Sequence, residues 1–391
     1  MKKSLIALAV LAASGVASAQ STVTLYGLLD GNIQSFKTNI LVPATATTAA
    51  TIQSARQTKI ESGGLNGSRW GMRIREDLGG GLAAIGNLES GINLDNGASG
   101  QGGVLFGRRA NVGLTGGFGT VTIGRNSSSY DDVAADNAMM GQSIFDPSQT
   151  NNAPSTLAAS NLLAPANAAT FLGRNTSWVG FNTRFNNSVK YISPNFAGFS
   201  GSLMYALGED KTAANTSSKS VSANLKYANG PLLISGGYQS EAAGGTLTGT
   251  TSSVGTPAGA KPALENALLS VAYDLGVAKI GAGFNRAKFK DVAAPAVLGG
   301  GNIDAQKEVN LSVAVPLGAT TLSAGYAQSK GDTLGKSTGF GVQALYSLSK
   351  RSTLYAGAQS TKGYDKLINS LPAGSSASKI TTYGLGLRHT F

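Results

Sequence analysis

Apolar and polar residues alternate with a period of two along much of this chain. In "SVSANLKY", residues 220–227, valine, alanine, leucine and tyrosine alternate with serine, asparagine and lysine, and the stretches 309–315 and 339–346 repeat the pattern. A strand of this kind has one apolar face and one polar face. The pattern therefore predicts an all-β protein whose strands separate an apolar environment from water.

The same alternation recurs sixteen times, with turn residues between the runs. The predicted strands cover residues 22–36, 68–77, 82–91, 104–115, 119–125, 184–193, 199–208, 218–227, 232–240, 266–274, 278–289, 306–316, 320–330, 336–347, 352–361 and 380–391. An even number of antiparallel strands can close into a transmembrane barrel, and a barrel of about sixteen strands encloses a water-filled lumen.

Two kinds of connection alternate between these strands. Short links are predicted at 79–81, 116–119, 229–231, 274–276 and 316–318. Long links are predicted at 37–67, 126–183, 241–265 and 362–379, among others. Tight turns at one end and long loops at the other are typical of outer-membrane barrels. A secreted soluble sandwich or solenoid is the alternative, but such a fold would not need tight turns at one end only.

Aromatic residues end several of the strands that run toward the short turns. They are Tyr227, Tyr273, Tyr346 and the C-terminal Phe391. This placement predicts an aromatic ring at one membrane interface. In the last strand, Tyr383, Leu385 and Leu387 are predicted to face lipid. That strand is expected to pair with the first, because an unpaired edge in hydrocarbon would leave backbone groups unsatisfied.

Composition argues against other classes of protein. The chain has 53 glycines among 391 residues, 13% charged residues and no cysteine. Glycine disfavours helices, and the chain contains too much Tyr, Leu and Val for a disordered protein. Apart from the N-terminus, no long apolar run predicts a helical membrane span.

Residues 1–19 have the features of a secretory signal peptide. Lys2 and Lys3 precede an apolar core, and Ala17-Ser18-Ala19 forms a small-residue cleavage site. We therefore expect cleavage after Ala19 and a mature chain that is one barrel domain, 20–391. Loss of the two lysines lowers the formal net charge from +11 to +9.

Several stretches resemble the trimeric general porins of beta-proteobacterial outer membranes. They are "VTLYGLLDG" (23–31), "GSRWGMRIREDLGGGLAAIGNLESG" (67–91), "FGRRANVGLTGGFGTVTIGRN" (106–126), "NNSVKYISPNFAGFSGSLMYALG" (186–208) and the terminal "GLRHTF". The resemblance implies a sixteen-stranded barrel in the Gram-negative outer membrane, a homotrimer surrounded by lipid and lipopolysaccharide, and passive diffusion of small hydrophilic solutes. It also implies that Phe391 is read by the barrel-assembly machinery.

The resemblance further implies that the loop 126–183 folds into the lumen and forms the constriction. Relatives commonly carry acidic residues there, facing a basic wall. Here the carboxylates of the loop are Asp131, Asp132, Asp136 and Asp146, all in its first half, and the second half is neutral.

Alternation predicts which side chains of the wall face the lumen. On the second predicted strand, Trp70, Met72 and Ile74 face outward, which leaves Arg69, Arg73 and Arg75 in the lumen. On the following strands Glu89 and Arg109 face inward.

The resemblance adds two wall arginines opposite the loop. They are Arg125 and Arg184, with Arg174 as the substitute for Arg184 if the register of the loop differs. Strict alternation would place Arg125 on the lipid side, and a β-bulge where the loop departs would bring it inward.

The arginines predict a passive pore that prefers anions. Several cationic side chains along one narrow passage select by charge without tight binding, because walls of low dielectric constant focus their field. For any single arginine, the simpler interpretation is that it only makes the inner face of the barrel polar and is solvated by water. Two alternatives stay open: a channel dedicated to one anionic solute, such as phosphate or a carboxylate, and a barrel without a pore.

Catalysis and nucleic-acid binding have little support in the sequence. His389 shares the outward parity of Leu387 and Phe391, and no second histidine, cysteine or metal-ligand cluster accompanies it. The basic residues are dispersed and lack interleaved stacking aromatics, which argues against nucleic acid as a partner. Nothing in the sequence calls for a cofactor.

Overall fold

A computed structural model describes residues 21–42, 51–148, 177–209, 211, 217–242, 263–291, 303, 305–366 and 377–391. The expected signal peptide, the middle of the long loop and Arg174 lie outside the described residues. Within these residues, no helix has the length and apolar character required to cross a membrane.

The described residues form seventeen strands and one helical turn, α1 (Gly100–Gly103). The strands are β1 (Thr22–Val42), β2 (Thr51–Ser62), β3 (Arg69–Gly79), β4 (Leu82–Gly91), β5 (Arg109–Gly116), β6 (Gly119–Ser127), β7 (Arg184–Ile192), β8 (Phe199–Leu207), β9 (Lys219–Asn229), β10 (Leu232–Ala242), β11 (Ala263–Asp274), β12 (Lys279–Lys290), β13 (Gln306–Leu317), β14 (Thr320–Gly331), β15 (Gly335–Ser347), β16 (Ser352–Lys362) and β17 (Ala377–Thr390).

All strand pairs are antiparallel, and the sheet closes on itself between β1 and β17, where Ile33 lies opposite Leu385. β2 and β3 share one position in the ring, because β1 pairs with β2 over Gly31–Val42 and with β3 over Thr22–Leu28. The seventeen strands therefore fill sixteen positions of a closed barrel. This confirms the predicted fold class.

The predicted long link at 37–67 is wrong. β1 continues to Val42 and β2 begins at Thr51, so most of this stretch extends the barrel wall as a hairpin. Only 63–68 interrupts the wall, between β2 and β3. A strand that extends beyond the hydrocarbon layer has water on both faces. Its backbone pairing can therefore continue after the apolar alternation has stopped.

The two ends of the barrel differ as predicted. At one end the hairpins from β3–β4 to β15–β16 have connections of two to six residues. The shortest include Gly79, Gly80 and Gly81, whose φ angles of 84°, 60° and 79° lie in the left-handed region that glycine adopts without strain. Most connections at the other end are longer, although 332–334 is short.

The aromatic residues at the short-turn end face outward. Tyr273, Tyr346 and Phe391 are 40%, 50% and 46% exposed. The backbone of Phe391 exchanges two hydrogen bonds with Gly27, of 3.2 and 3.1 Å, and its ring covers Gly27. The end of the chain therefore completes the pairing that closes the barrel.

Buried apolar residues form small clusters inside the barrel. One cluster joins Leu65, Met140, Phe145 and Tyr355, and another contains Tyr130, Trp178, Phe181 and Leu268. Most of these residues belong to the long loop between β6 and β7. The packed core of this protein is therefore the contact between that loop and the inner wall.

Candidate functional site: the pore constriction

The loop between β6 and β7 runs across the lumen along the inner face of the barrel. Its described parts are 128–148 and 177–183. The first part contacts the wall through Ser129 N–H to Ser222 Oγ (2.9 Å), Tyr130 Oη to Asn285 Oδ1 (3.0 Å), Asn137 Nδ2 to Asn310 Oδ1 (2.6 Å) and Ser143 Oγ to Gln343 Oε1 (2.6 Å). These contacts follow the wall from β9 to β15.

The loop then reaches the break between β2 and β3. Ile144 N–H donates to Gly64 O at 2.8 Å. The turn that contains Gly64 is held by Asp30, a buried carboxylate of β1 that accepts backbone N–H bonds from Gly64, Leu65 and Asn66 at 3.2, 2.8 and 2.7 Å. The turn at this break in the wall therefore supports the loop at Ile144.

Two wall carboxylates hold the returning part of the loop. Glu308 of β13 accepts the Val179 N–H at 2.6 Å. Glu241 of β10 accepts both the backbone N–H and the side-chain amide of Asn182, at 2.9 and 2.7 Å. All of these groups are buried, so both limbs of the loop are fixed to the wall.

A cavity of about 630 Å³ lies between the described part of the loop and the opposite wall, and we call it the passage. Arg69, Arg108 and Arg184 line it on the wall side. Asp131, Ala135, Gly141, Gln142 and Ile144 line it on the loop side. Nearer the short turns a second cavity is lined by Arg73, Arg75, Arg109 and Lys190, together with Asp132.

The arginines form a ladder along the pore axis. Arg69, Arg73 and Arg75 belong to β3 and lie opposite Leu28, Thr24 and Thr22 of β1. Since a strand advances about 3.3 Å per residue, the first and last of these arginines are separated by about 20 Å along the wall. An anion that crosses the lumen therefore meets positive charge over a large part of its path.

Two cations of this wall are neutralised locally. Arg108 Nε lies 2.6 Å from Glu89, which also accepts a hydrogen bond of 2.7 Å from Tyr26 Oη. Lys190 Nζ lies 2.5 Å from Asp132 of the loop.

Five arginines keep their positive charge without a carboxylate in contact with them. Within the described ranges, no ion pair shorter than 4.0 Å involves Arg69, Arg73, Arg75, Arg109 or Arg184. The guanidinium of Arg73 instead lies over the Tyr26 ring, 4.1 Å from its centroid. The net charge of the wall is therefore positive.

The carboxylates of the loop do not balance that charge. Asp132 is paired with Lys190, and Asp136 lies 3.0 Å from Lys226 of β9. Asp146 is buried and accepts the N–H groups of Gln142 and Ser148 at 3.1 and 2.9 Å. Asp131 is the loop carboxylate that lines the passage, where Glu61 of β2 also lies, paired with Lys59. Burial raises the pKa of Asp131 to about 6, although Arg184 opposes the shift.

The structure brings most of the predicted wall residues together but separates Arg125 from them. Arg125 lies opposite Ala110 in the unbroken register of β6 with β5, whereas the register of β6 with β7 shifts between Gly124 and Asn126. Its side chain donates to Gly107 O at 2.7 Å and to Asn186 Oδ1 at 2.5 Å. It lines neither of the two cavities, whereas Arg184 lines the passage.

Sequence reasoning missed Arg108 and Lys190. Arg108 precedes the first residue of β5, so alternation along that strand does not describe it. Alternation could have predicted the inward position of Lys190, because it lies between the outward-facing Val189 and Tyr191 in β7.

The histidine near the C-terminus lies outside the lumen. His389 is exposed, and its Nδ1 lies 2.9 Å from Ser352 Oγ on the neighbouring strand. In the described part of the chain, no three His, Cys, Asp or Glu side chains are grouped so that they could hold a metal ion.

A closed sixteen-stranded barrel with an apolar exterior, a polar lumen and an inserted loop defines a class of protein: a water-filled transmembrane channel. The comparisons with known proteins agree. Residues 5–366 match the Gram-negative porin family, and the chain belongs to that family.

Relatives of known location support this assignment over the whole length. The chain is 32% identical to outer membrane porin protein 32 of Delftia acidovorans and 28% identical to an outer membrane porin protein of Bordetella pertussis, and each match covers 100% of both chains. Among solved structures, the anion-selective porin from Comamonas acidovorans superposes with a TM-score of 0.70 at 25% identity, covering 95% of this chain and 100% of the other. The protein is a channel of the Gram-negative outer membrane and not an enzyme.

Proposed function

We propose that this porin conducts small hydrophilic solutes passively and prefers anions. The observation that carries the proposal is the imbalance of charge across the passage. Among the described residues, Arg69 and Arg184 line the passage without an ion-pair partner, and Asp131 alone represents the loop carboxylates there. The similarity to the anion-selective porin from Comamonas acidovorans supports the same interpretation.

Reversal potentials of single channels in a salt gradient test this proposal. We expect a potential of the sign for anion preference at neutral pH, and a cation preference would overturn it. Because the charges face water, the preference should decrease as the salt concentration increases.

A channel dedicated to one class of anionic solute is the second candidate. The convergence of Arg69, Arg108 and Arg184 on one passage favours it, because a phosphate or carboxylate could accept hydrogen bonds from several guanidinium groups at once. Such a solute would block the salt current in a saturable manner. Absence of block across a broad panel of phosphates and carboxylates supports general diffusion.

The protein is further proposed to act as a homotrimer in contact with outer-membrane lipid and lipopolysaccharide. Outward apolar side chains such as Leu385, which is 60% exposed, are suited to lipid or to a neighbouring subunit. A gel without heating would show a heat-labile trimer. A folded band at the mass of one chain would contradict it.

The last part of the proposal concerns the export and assembly of the protein. A signal peptide at 1–19 would be removed, so the N-terminal sequence of the protein from outer membranes should begin at Gln20. Phe391 would be read by the barrel-assembly machinery. Its deletion should reduce the amount of folded protein in the membrane while the conductance of each inserted channel stays unchanged, and normal assembly of that variant would contradict this role.

A further inference from the structure

Inward-facing glycines follow the wall beneath the constriction loop. They are Gly281 and Gly283 on β12, Gly325 on β14, Gly339 and Gly341 on β15, and Gly357 on β16. We call these six residues the loop seat. They alternate with outward-facing side chains such as Phe340 and Val342, which are 63% and 56% exposed.

Each glycine of the loop seat lies directly against an atom of the loop. A Cβ atom added at Gly339 would lie 2.6 Å from Pro147 Cβ, and one at Gly357 would lie 2.5 Å from Phe145 Cδ2. At Gly281 and Gly341 it would collide with the backbone carbonyl oxygens of Asn137 and Phe145. Real Cβ atoms do not approach other atoms so closely, so a larger residue would require the loop to move.

Hydrogen bonds beside the glycines hold the loop at this distance. Ser312 Oγ accepts the Met139 N–H at 2.9 Å and donates to Asn137 O at 2.8 Å. Gln343 donates to Met140 O at 3.1 Å, and Gln359 donates to Asp146 O at 2.9 Å. The loop backbone is therefore bonded to the wall on which the glycines leave space for it.

The Phe145 ring shows how closely the two surfaces fit. Phe145 is fully buried, lies over Gly357 and makes an edge-to-face contact with Tyr355 at a centroid distance of 6.4 Å. A barrel wall paired by backbone hydrogen bonds on both sides of each strand cannot easily recede. Any added volume must therefore displace the loop toward the lumen.

We propose that the loop seat determines the width of the pore: these glycines specify how far the constriction loop stands from the wall, and hence how large a solute passes. They would be specificity-determining residues although they do not line the passage. This inference rests on the channel function, which the wild-type conductance tests separately.

Three alanine variants test the proposal. Gly341→Ala places a methyl group against a backbone oxygen of the loop. It should lower single-channel conductance by roughly a third to a half, because the closely packed contact cannot accommodate the methyl group and the loop must move into the lumen. Gly325→Ala should lower it less, since the nearest atom is the flexible Met140 Sδ at 2.8 Å. Gly236→Ala is the control on the outward face of β10, where the atom nearest to the added Cβ is Leu268 O at 3.7 Å, and it should leave conductance unchanged.

The same variants should change the exclusion limit for neutral sugars in liposome-swelling assays in the same order. Folding is checked by the gel shift on heating, and only folded variants are compared. A folded Gly341→Ala channel with equal or increased conductance would overturn the proposal. A wild-type protein without conductance would instead overturn the channel function.

A pair of compensating substitutions provides a second test if one of the single variants does not fold. Gly357→Ala should narrow the pore because its methyl group meets the Phe145 ring, and Phe145→Ala should remove that obstacle. The double variant should therefore recover the conductance that is lost in Gly357→Ala. Such a recovery would show that the two residues are coupled, because independent effects would simply add. Strictly additive changes would contradict the proposed contact.

Discussion

The two sides of the lumen obey the same alternation but carry different side chains. From β3 to β7 the inward positions include the arginines, Lys190 and Glu89, beside neutral residues such as Asn87 and Asn111. From β12 to β16 many of them hold glycine, serine, asparagine or glutamine, and the constriction loop covers them. Glu308 is a buried carboxylate on this side, and it accepts a backbone N–H of the loop. The comparison shows that alternation specifies which face of a strand is wet, whereas the residue types at those positions decide whether the face selects solutes or supports a loop.

The free-energy cost of burying charge explains why one side selects solutes and the other supports the loop. Charged side chains covered by the loop would lose water, and their desolvation is compensated only by well-placed partners. Neutral amides and hydroxyls can be buried when hydrogen-bonded, as Gln343 is with Ser143 and Met140. The arginines remain on the side that stays in contact with water and solutes.

Removal of charge from the basic side should have the largest effect on ion selectivity. Arg69→Gln, Arg73→Gln and Arg184→Gln together should lower the anion-to-cation permeability ratio roughly tenfold, since each charge contributes about 0.5 kcal/mol at about 8 Å in water. Reversal potentials in a salt gradient measure the ratio. Arg351→Gln, on an exposed short turn, is the control, and an unchanged ratio in the triple variant would show that these arginines are only solvated.

Removal of a carboxylate from the basic side should change ion selectivity in the opposite direction. Glu89→Gln frees Arg108 from its partner and adds one net positive charge to the basic side. The anion preference, measured by reversal potential, should increase by about twofold, which corresponds to one charge at about 8 Å in water. A decrease in a folded variant would mean that Glu89 acts chiefly by holding Arg108 in place.

A pH series tests the loop side of the passage. Because its pKa is raised to about 6, Asp131 is mostly ionised at pH 7 and mostly neutral at pH 5. As the pH falls, the passage loses a negative charge that faces Arg184, Arg108 and Lys190, with Asp132 nearby, so the anion preference should increase by up to about twofold. Asp131→Asn should show, at both pH values, the higher anion preference that the wild-type protein reaches at pH 5. A similar pH response in that variant would assign the effect to another group.

The smallest effect is expected at an ion pair between the loop and β9. Asp136 and Lys226 form an ion pair whose charges cancel, so Asp136→Asn combined with Lys226→Met should leave the permeability ratio unchanged. Reversal potentials check this, and the unheated gel shows whether the loop contact is needed for a stable barrel. A changed ratio would mean that this pair contributes to the field in the passage.

Much of the fold could be predicted from local pattern. The strand positions, the two kinds of barrel end and the outward aromatic residues follow from alternation and turn chemistry within about ten residues. The hairpin of β1 and β2 was missed because its pairing continues beyond the membrane, where an apolar face is no longer required. The break at 63–68 depends on Asp30, which is more than thirty residues away along the chain.

The site was predicted less completely. Arg69, Arg73 and Arg75 follow from parity alone, but Arg125 lies where the register with β7 shifts, and Arg108 precedes the strand to which parity applies. The pairing of Asp132 with Lys190 and of Asp136 with Lys226 joins residues far apart in the chain. The sequence shows how many charges are present but not which of them cancel.

The order of amino acids is enough to predict a sixteen-position barrel with an apolar exterior and a basic lumen, because these features depend on neighbours in the chain. The folded barrel is needed to show where the loop lies, which arginines lack an ion-pair partner among the described residues and what supports the loop. Those properties depend on contacts such as Ser143 with Gln343, which are 200 residues apart. Such contacts form only after the barrel has closed and the inner walls face each other.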